Sequence, residues 1–84
     1  MKRRNEIEVI KEFLMQTQNE KGIMPHRLQC QIGISHKVYT NYLPKLVQND
    51  FICEKENEGH KIYFITEKGS SLLIDINKII KKME

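Results

Sequence analysis

The stretch that decides the fold runs from Pro25 to Ile52, PHRLQCQIGISHKVYTNYLPKLVQNDFI. Pro25 suits the first position of a helix, where its missing N–H costs nothing. That helix is short and ends near Ile32, because Gly33 permits the left-handed residue that closes a helix. Ile34 follows as an apolar plug, and Ser35 has the side-chain acceptor that caps the next helix. The next helix is expected from about His36 to Asn49. Its apolar residues Tyr39, Tyr42, Leu43 and Leu46 are spaced at three, one and three, which gathers them on one helical face. Lys37, Thr40, Asn41, Lys45 and Gln48 fall on the opposite face. Pro44 lies inside this helix and removes the bond to the Thr40 carbonyl, so a bend is expected there.

Upstream, Ile7, Ile10, Phe13 and Leu14 recur at helical spacing, with Asn5 as N-cap and Glu6 and Glu8 in the first turn. This helix is expected over 5–20, stopped by Lys21-Gly22, with Ile23-Met24 as a stub of strand. Downstream, Phe51–Lys55 and Lys61–Thr66 read as strands around the polar loop Glu56–His60, forming a hairpin over 51–66. Thr66-Glu67 opens a last helix over 67–83 through Leu72, Leu73, Ile76, Ile79, Ile80 and Met83. The chain thus reads as one domain over 1–84, ordered helix, strand stub, helix, helix, strand, strand, helix, in the α+β class. Its core is expected from Ile32, Ile34, Tyr39, Tyr42, Leu43, Leu46, Phe51, Tyr63 and Ile65, closed by Ile10, Phe13 and Leu14.

Composition narrows the function. The 84 residues are 39% hydrophobic and 30% charged, enough for one core and too apolar for a disordered tail. No apolar run approaches the roughly 18 residues of a membrane span, and the N-terminus lacks the apolar segment of a signal peptide. A cytoplasmic, nucleoid-associated protein is expected, with no membrane partner. Cys30 and Cys53 lack disulfide or zinc-site spacing and read as half-buried small hydrophobes. Met15, Met24 and Met83 read as core or interface fillers. His26, His36 and His60 are scattered, no glycine run cradles a phosphate, and no serine sits in a nucleophile elbow. The expectation is a protein that is not an enzyme and that uses no metal or cofactor. A net charge of +3, from 14 Lys and Arg against 11 Asp and Glu, admits a nucleic-acid partner without requiring one.

A short helix, a glycine turn and a capped second helix form the layout of a helix-turn-helix, whose second helix enters the major groove of double-stranded DNA. The outward face suits that task. Asn41 can bond adenine bidentately, Lys37 can reach guanine or a phosphate, and Thr40 can meet a thymine methyl or a phosphate. Ser35, His36, Lys45 and Gln48 complete the candidate contact face. On the hairpin the candidates are Lys55, His60 and Lys61, opposed by Glu54, Glu56 and Glu58, although phosphates are gripped by cations. Lys2, Arg3 and Arg4 form a basic arm that either follows the phosphates or solubilises the chain.

The run Ile34-Ser35-x-x-Val38-x-x-x-Tyr42-Leu43-x-x-Leu46, then Phe51-Ile52, then Tyr63-x-Ile65-Thr66-Glu67-Lys68-Gly69, resembles small archaeal winged-helix regulators and, more loosely, winged-helix repressors of bacteria. The resemblance covers residues 5–84. It implies a winged helix-turn-helix fold, double-stranded DNA as partner and a role in transcription. Asp50 stands where these proteins usually have Gly, and Ile32 where a small Ala is common, which predicts a wider spacing between the two helices of the motif. The expected function is a dimeric, sequence-preferring DNA-binding transcriptional regulator. Its rivals are an architectural, chromatin-type DNA binder and a winged-helix interaction module without DNA binding.

The last helix supplies the expected dimer interface. Leu72, Leu73, Ile76, Ile79, Ile80 and Met83 make an apolar stripe of which so small a domain is expected to cover the beginning, leaving Ile79, Ile80 and Met83 projecting. Pairing with the same helix of a second chain would bury them, leaving Lys78, Lys81 and Lys82 outside. The alternative is that this helix folds back on Ile7 and Ile10 of its own chain. A small-molecule effector, whose identity the sequence leaves open, is expected to need a pocket at the dimer interface.

Overall fold

The computed structural model describes residues 5–83. Four helices and one hairpin follow in the order α1 (Glu6–Gln16), α2 (Pro25–Ile32), α3 (His36–Gln48), β1 (Ile52–Asn57), β2 (His60–Ile65) and α4 (Glu67–Met83). This is the winged helix-turn-helix arrangement, with the hairpin as the wing.

Asn5 caps α1 as expected, its Oδ1 accepting from the Glu8 N–H at 2.8 Å. The helix ends at Gln16, four residues short of the expected Glu20. Thr17 is the cause. It is fully buried, and its Oγ1 donates to the Phe13 carbonyl at 2.9 Å and the Leu14 carbonyl at 3.1 Å. Its own carbonyl accepts from the Ile65 N–H of β2, a tertiary bond that draws the chain out of the helix. The buried face also differs in phase. Val9, Phe13 and Leu14 are inside, whereas Ile7 is 42% exposed.

Gly22 serves a purpose other than capping α1. It takes φ +77, and a Cβ there would collide with Ile62 and stand 2.7 Å from the Phe64 ring. Close approach lets Ile23 bond Tyr63 in both directions, at 3.0 and 2.9 Å, as a one-residue third strand beside β2.

Pro25 starts α2 and Gly33 closes it at φ +71. Ser35 caps α3, its Oγ accepting from the Val38 N–H at 3.3 Å. The helix continues through Pro44 as a single element. It ends in a double reversal: Asp50 N–H donates to Val47 and Phe51 N–H to Leu46, with Asp50 at φ 66. The hairpin is tighter than expected. Asn57 pairs with His60, so the turn is only Glu58-Gly59, both at positive φ, which matches the right-handed twist of the strands.

Phe13, Leu14, Leu28, Ile32 and Ile52 are the most deeply buried side chains, each contributing about 1.5–3 kcal/mol over exposure. Tyr39, Leu43 and Leu46 bring α3 onto this centre, and Tyr63 brings the wing. Ile10, Ile34, Tyr42, Phe51 and Ile65, expected inside, pack at its margin half-buried. Leu73 and Ile76 attach α4, which lies against α1.

Candidate nucleic-acid interface

Helix α3 presents a two-faced surface. Tyr39, Leu43 and Leu46 are buried, while Ser35, His36, Lys37, Thr40, Asn41, Lys45 and Gln48 are all exposed along the other side. Lys37, Val38, Thr40 and Asn41 line a shallow depression near the start of the helix. Thr40 Oγ1 donates to its own Lys37 carbonyl at 3.1 Å, so its methyl is the freer contact group. His36 Nδ1 lies 3.3 Å from Gln29 Oε1, linking α3 to α2, and its ring stacks on Tyr39 at 6.4 Å. The Asn41 amide and the Lys37 and Lys45 ammonium groups have no protein partner among the described residues.

The wing's cations are engaged. Lys61 forms an ion pair with Glu54 at 3.3 Å, and Lys55 lies 5.4 Å from the centroid of the Phe64 ring. His60 is exposed beside the turn. The expected Arg3 and Arg4 contacts lie outside the described residues.

Behind α3 and the wing sit two tyrosines with opposite fates. The Tyr63 hydroxyl donates to Glu54 Oε1 at 3.1 Å. Burial, then that bond and the Glu54 charge, push its pKa up to about 12. The Tyr39 hydroxyl is buried with no hydrogen-bond partner among the described residues, and burial raises its pKa too. Phe13 stacks on the Tyr39 ring at 5.9 Å.

The Thr66-Glu67-Lys68-Gly69 element is structural. Thr66 Oγ1 donates to the Asp50 carbonyl at 2.6 Å and accepts from the Gly69 N–H at 2.9 Å, capping α4. Lys68 Nζ donates to the Asn49 carbonyl at 2.8 Å and lies 4.8 Å from the Phe51 centroid. A Cβ on Gly69 would strike the Phe51 carbonyl. Together these contacts lock the root of α4 to the end of α3.

Three expectations need correction. Cys30 is exposed rather than half-buried, and its Sγ lies 3.8 Å from His26 Nε2, a pairing that four-residue helical spacing allows. Met15, Met24 and Met83 are exposed in the chain, so of the core and interface roles expected for them the core role is removed. The stripe on α4 is divided much as expected, but its covered part takes Leu73 and Ile76 from the expected interface and reaches Ile80. Leu73 and Ile76 are buried within their own chain, and Leu72 and Ile80 are half-buried. Only Ile79, at 48%, and Met83, at 77%, project outward, with Ile74 on another face.

No helix among the described residues is long and apolar enough to cross a membrane, and no group of three or more potential ligands could hold a metal ion. No curated protein matches the chain. Solved structures do. Sso10a-2, a DNA-binding protein from Sulfolobus solfataricus, is 30% identical over 95% of this chain and 82% of its own, with a TM-score of 0.81. F93 from STIV, a winged-helix DNA-binding protein, is 25% identical over 89% of this chain and 86% of its own, at 0.73. A MarR transcriptional regulator from Methanosarcina mazei Go1 is 28% identical over 89% of this chain but 51% of its own, at 0.73. The profile of the winged helix-turn-helix family matches residues 3–84. With the capped α3, its exposed polar face and the wing beside it, the chain belongs to the winged helix-turn-helix family, a family of DNA-binding transcription regulators and not of enzymes.

Proposed function

We propose that this protein regulates transcription in the cytoplasm by binding double-stranded DNA as a symmetric dimer, with α3 in the major groove. The observation that carries the reading is the division of α3. Tyr39, Leu43 and Leu46 are used in the core, and the polar residues Lys37, Thr40, Asn41, Lys45 and Gln48 form one exposed face around Pro44. Asn41 reads a base edge, Thr40 offers its methyl, and Lys37, Lys45 and the Ser35–His36 end of the helix hold phosphates. Lys55, His60 and Lys61 are secondary contacts, since phosphate must compete with Glu54 for Lys61.

The two-fold axis runs beside α4, where Ile79, Ile80 and Met83 meet the same residues of a second chain. Such a dimer presents two α3 helices to half-sites about 34 Å apart. The test begins with selection of bound duplexes from a random pool, followed by titration of the winner. Asn41→Ala should cost about 1–3 kcal/mol at one base pair and relax preference there. Lys37→Ala or Lys45→Ala should weaken all sequences alike and lower the salt slope by about one unit. Unchanged binding in all three removes α3 from the interface. A steep salt dependence with no selected sequence makes the protein an architectural binder instead.

A further inference from the structure

A cavity of about 590 Å³ opens at the junction of the α1–α2 connection, α2 and β2. That volume falls within the range of small-molecule sites, about 300–1,000 Å³. Ile23 and Ile62 contribute its apolar lining, joined by Met15 and Met24, which the fold leaves 42% and 48% exposed. Lys21 and Arg27 also line it. Among the described residues no Asp or Glu lines the cavity, and neither cation is in an ion pair. Gly22 keeps the bend between them free of a side chain, and the two Ile23–Tyr63 bonds hold the lining to the wing strand.

Two unneutralised cations beside exposed thioethers and aliphatic surface define a complement. We propose that this cleft binds a small amphipathic organic anion, a carboxylate carried on an aromatic or branched apolar body. The body lies on Met15, Met24 and Ile62, whose flexible and polarisable neighbours adapt to its shape. The carboxylate takes a bidentate pair from the Arg27 guanidinium, with Lys21 as a second charge. Inorganic phosphate satisfies the cations but leaves the apolar lining wet, so the apolar body distinguishes this ligand class. The lining joins α2 to β2, so the occupant touches the first helix of the helix-turn-helix and the wing together. An effect on DNA affinity rests on the DNA reading above; binding itself does not.

The experiment is an amide proton–nitrogen NMR titration of the full chain with 1-naphthoate, alongside the neutral 1-naphthalenemethanol and inorganic phosphate. Naphthoate should shift the amides of Gly22, Ile23 and Arg27, with half-saturation near about 1 mM, as ordinary ligand efficiency gives a body of that size. The alcohol and phosphate should each bind about tenfold more weakly or not at all. Lys21→Gln with Arg27→Gln should raise half-saturation about tenfold. Met15→Glu, with both cations in place, should weaken naphthoate by setting a like charge beside its carboxylate. All three positions are exposed, so the variants keep the dispersed spectrum of the folded chain. No shift up to about ten times that concentration overturns the proposal. Equal binding of the alcohol, shifts scattered over the surface, or unchanged affinity in the variants do so as well. Each outcome is read without DNA, so it stands whether or not α3 binds a duplex.

Discussion

A buried hydroxyl costs free energy unless it is bonded, and Tyr39 and Tyr63 show both sides of that rule. Removing the Tyr39 hydroxyl takes away an unpartnered polar atom and leaves the ring on Phe13. Tyr39→Phe should therefore raise stability by about 1 kcal/mol in urea unfolding at neutral pH. Tyr63→Phe breaks the bond to Glu54 and should lower it by a similar amount, about 1 kcal/mol. Alkaline pH separates them further. The folded pKa of Tyr63, about 12, lies above the ordinary 10.0, so folding favours its neutral form. That contribution is complete below about pH 10 and is lost as pH rises toward 12. Unfolding measured at pH 7 and at pH 11 should show a steeper alkaline loss for the native chain than for Tyr63→Phe. Equal losses would remove Tyr63 as the source. The sequence placed both rings in the core, but which hydroxyl meets an acceptor depends on Glu54 standing opposite Tyr63 in the register.

At the scale of elements, the corner after α3 joins local and tertiary bonds. Asp50 adopts the left-handed conformation that its position demands, and Thr66 and Lys68 then hold the carbonyls of residues 49–51. Asp50→Gly should remove strain without touching those bonds, since they use the backbone carbonyl. A gain of about 0.5–1 kcal/mol in thermal or urea unfolding is expected, with DNA affinity unchanged. A loss of stability would mean that the Asp50 side chain contributes more than its strain costs. Local signals made these elements legible: Pro25, Gly33 and Ser35 bound α2 and α3, and the apolar spacing on α3 marks its buried side. Where a distant group intervenes, the sequence is silent. Helix α1 stops because Ile65 takes the Thr17 carbonyl, and Val9 replaces Ile7 inside because the face is chosen by what packs on it. The wing's five-residue loop shrinks to two because Asn57 and His60 pair. The cleft beside Arg27 was equally invisible, since it closes only when Ile62 of the wing strand is brought against residues 15–31.

For the whole molecule, the division of the α4 stripe determines which variants can test the dimer. Ile76→Glu would place a charge inside the chain's own core and should unfold it. Ile79→Glu with Met83→Glu alters only exposed residues. That pair should give a chain with native circular dichroism that sediments as a monomer and binds DNA weakly, from a native protein that sediments as a dimer. A native chain that is monomeric at micromolar concentration eliminates the interface. Beyond assembly, the anchoring at both ends of the wing makes its tip a replaceable part. Residues 56–60 are all exposed, while Ile52, Tyr63 and Ile65, with the Glu54–Tyr63 bond, hold the hairpin to the body and the Thr66–Asp50 bond ties its two ends together. A tip of other length or charge can be transplanted between those anchors with the core left as it is. Descent can therefore retune the grip of this hairpin by exchange at its end, while the helices that fold the chain stay under separate constraint.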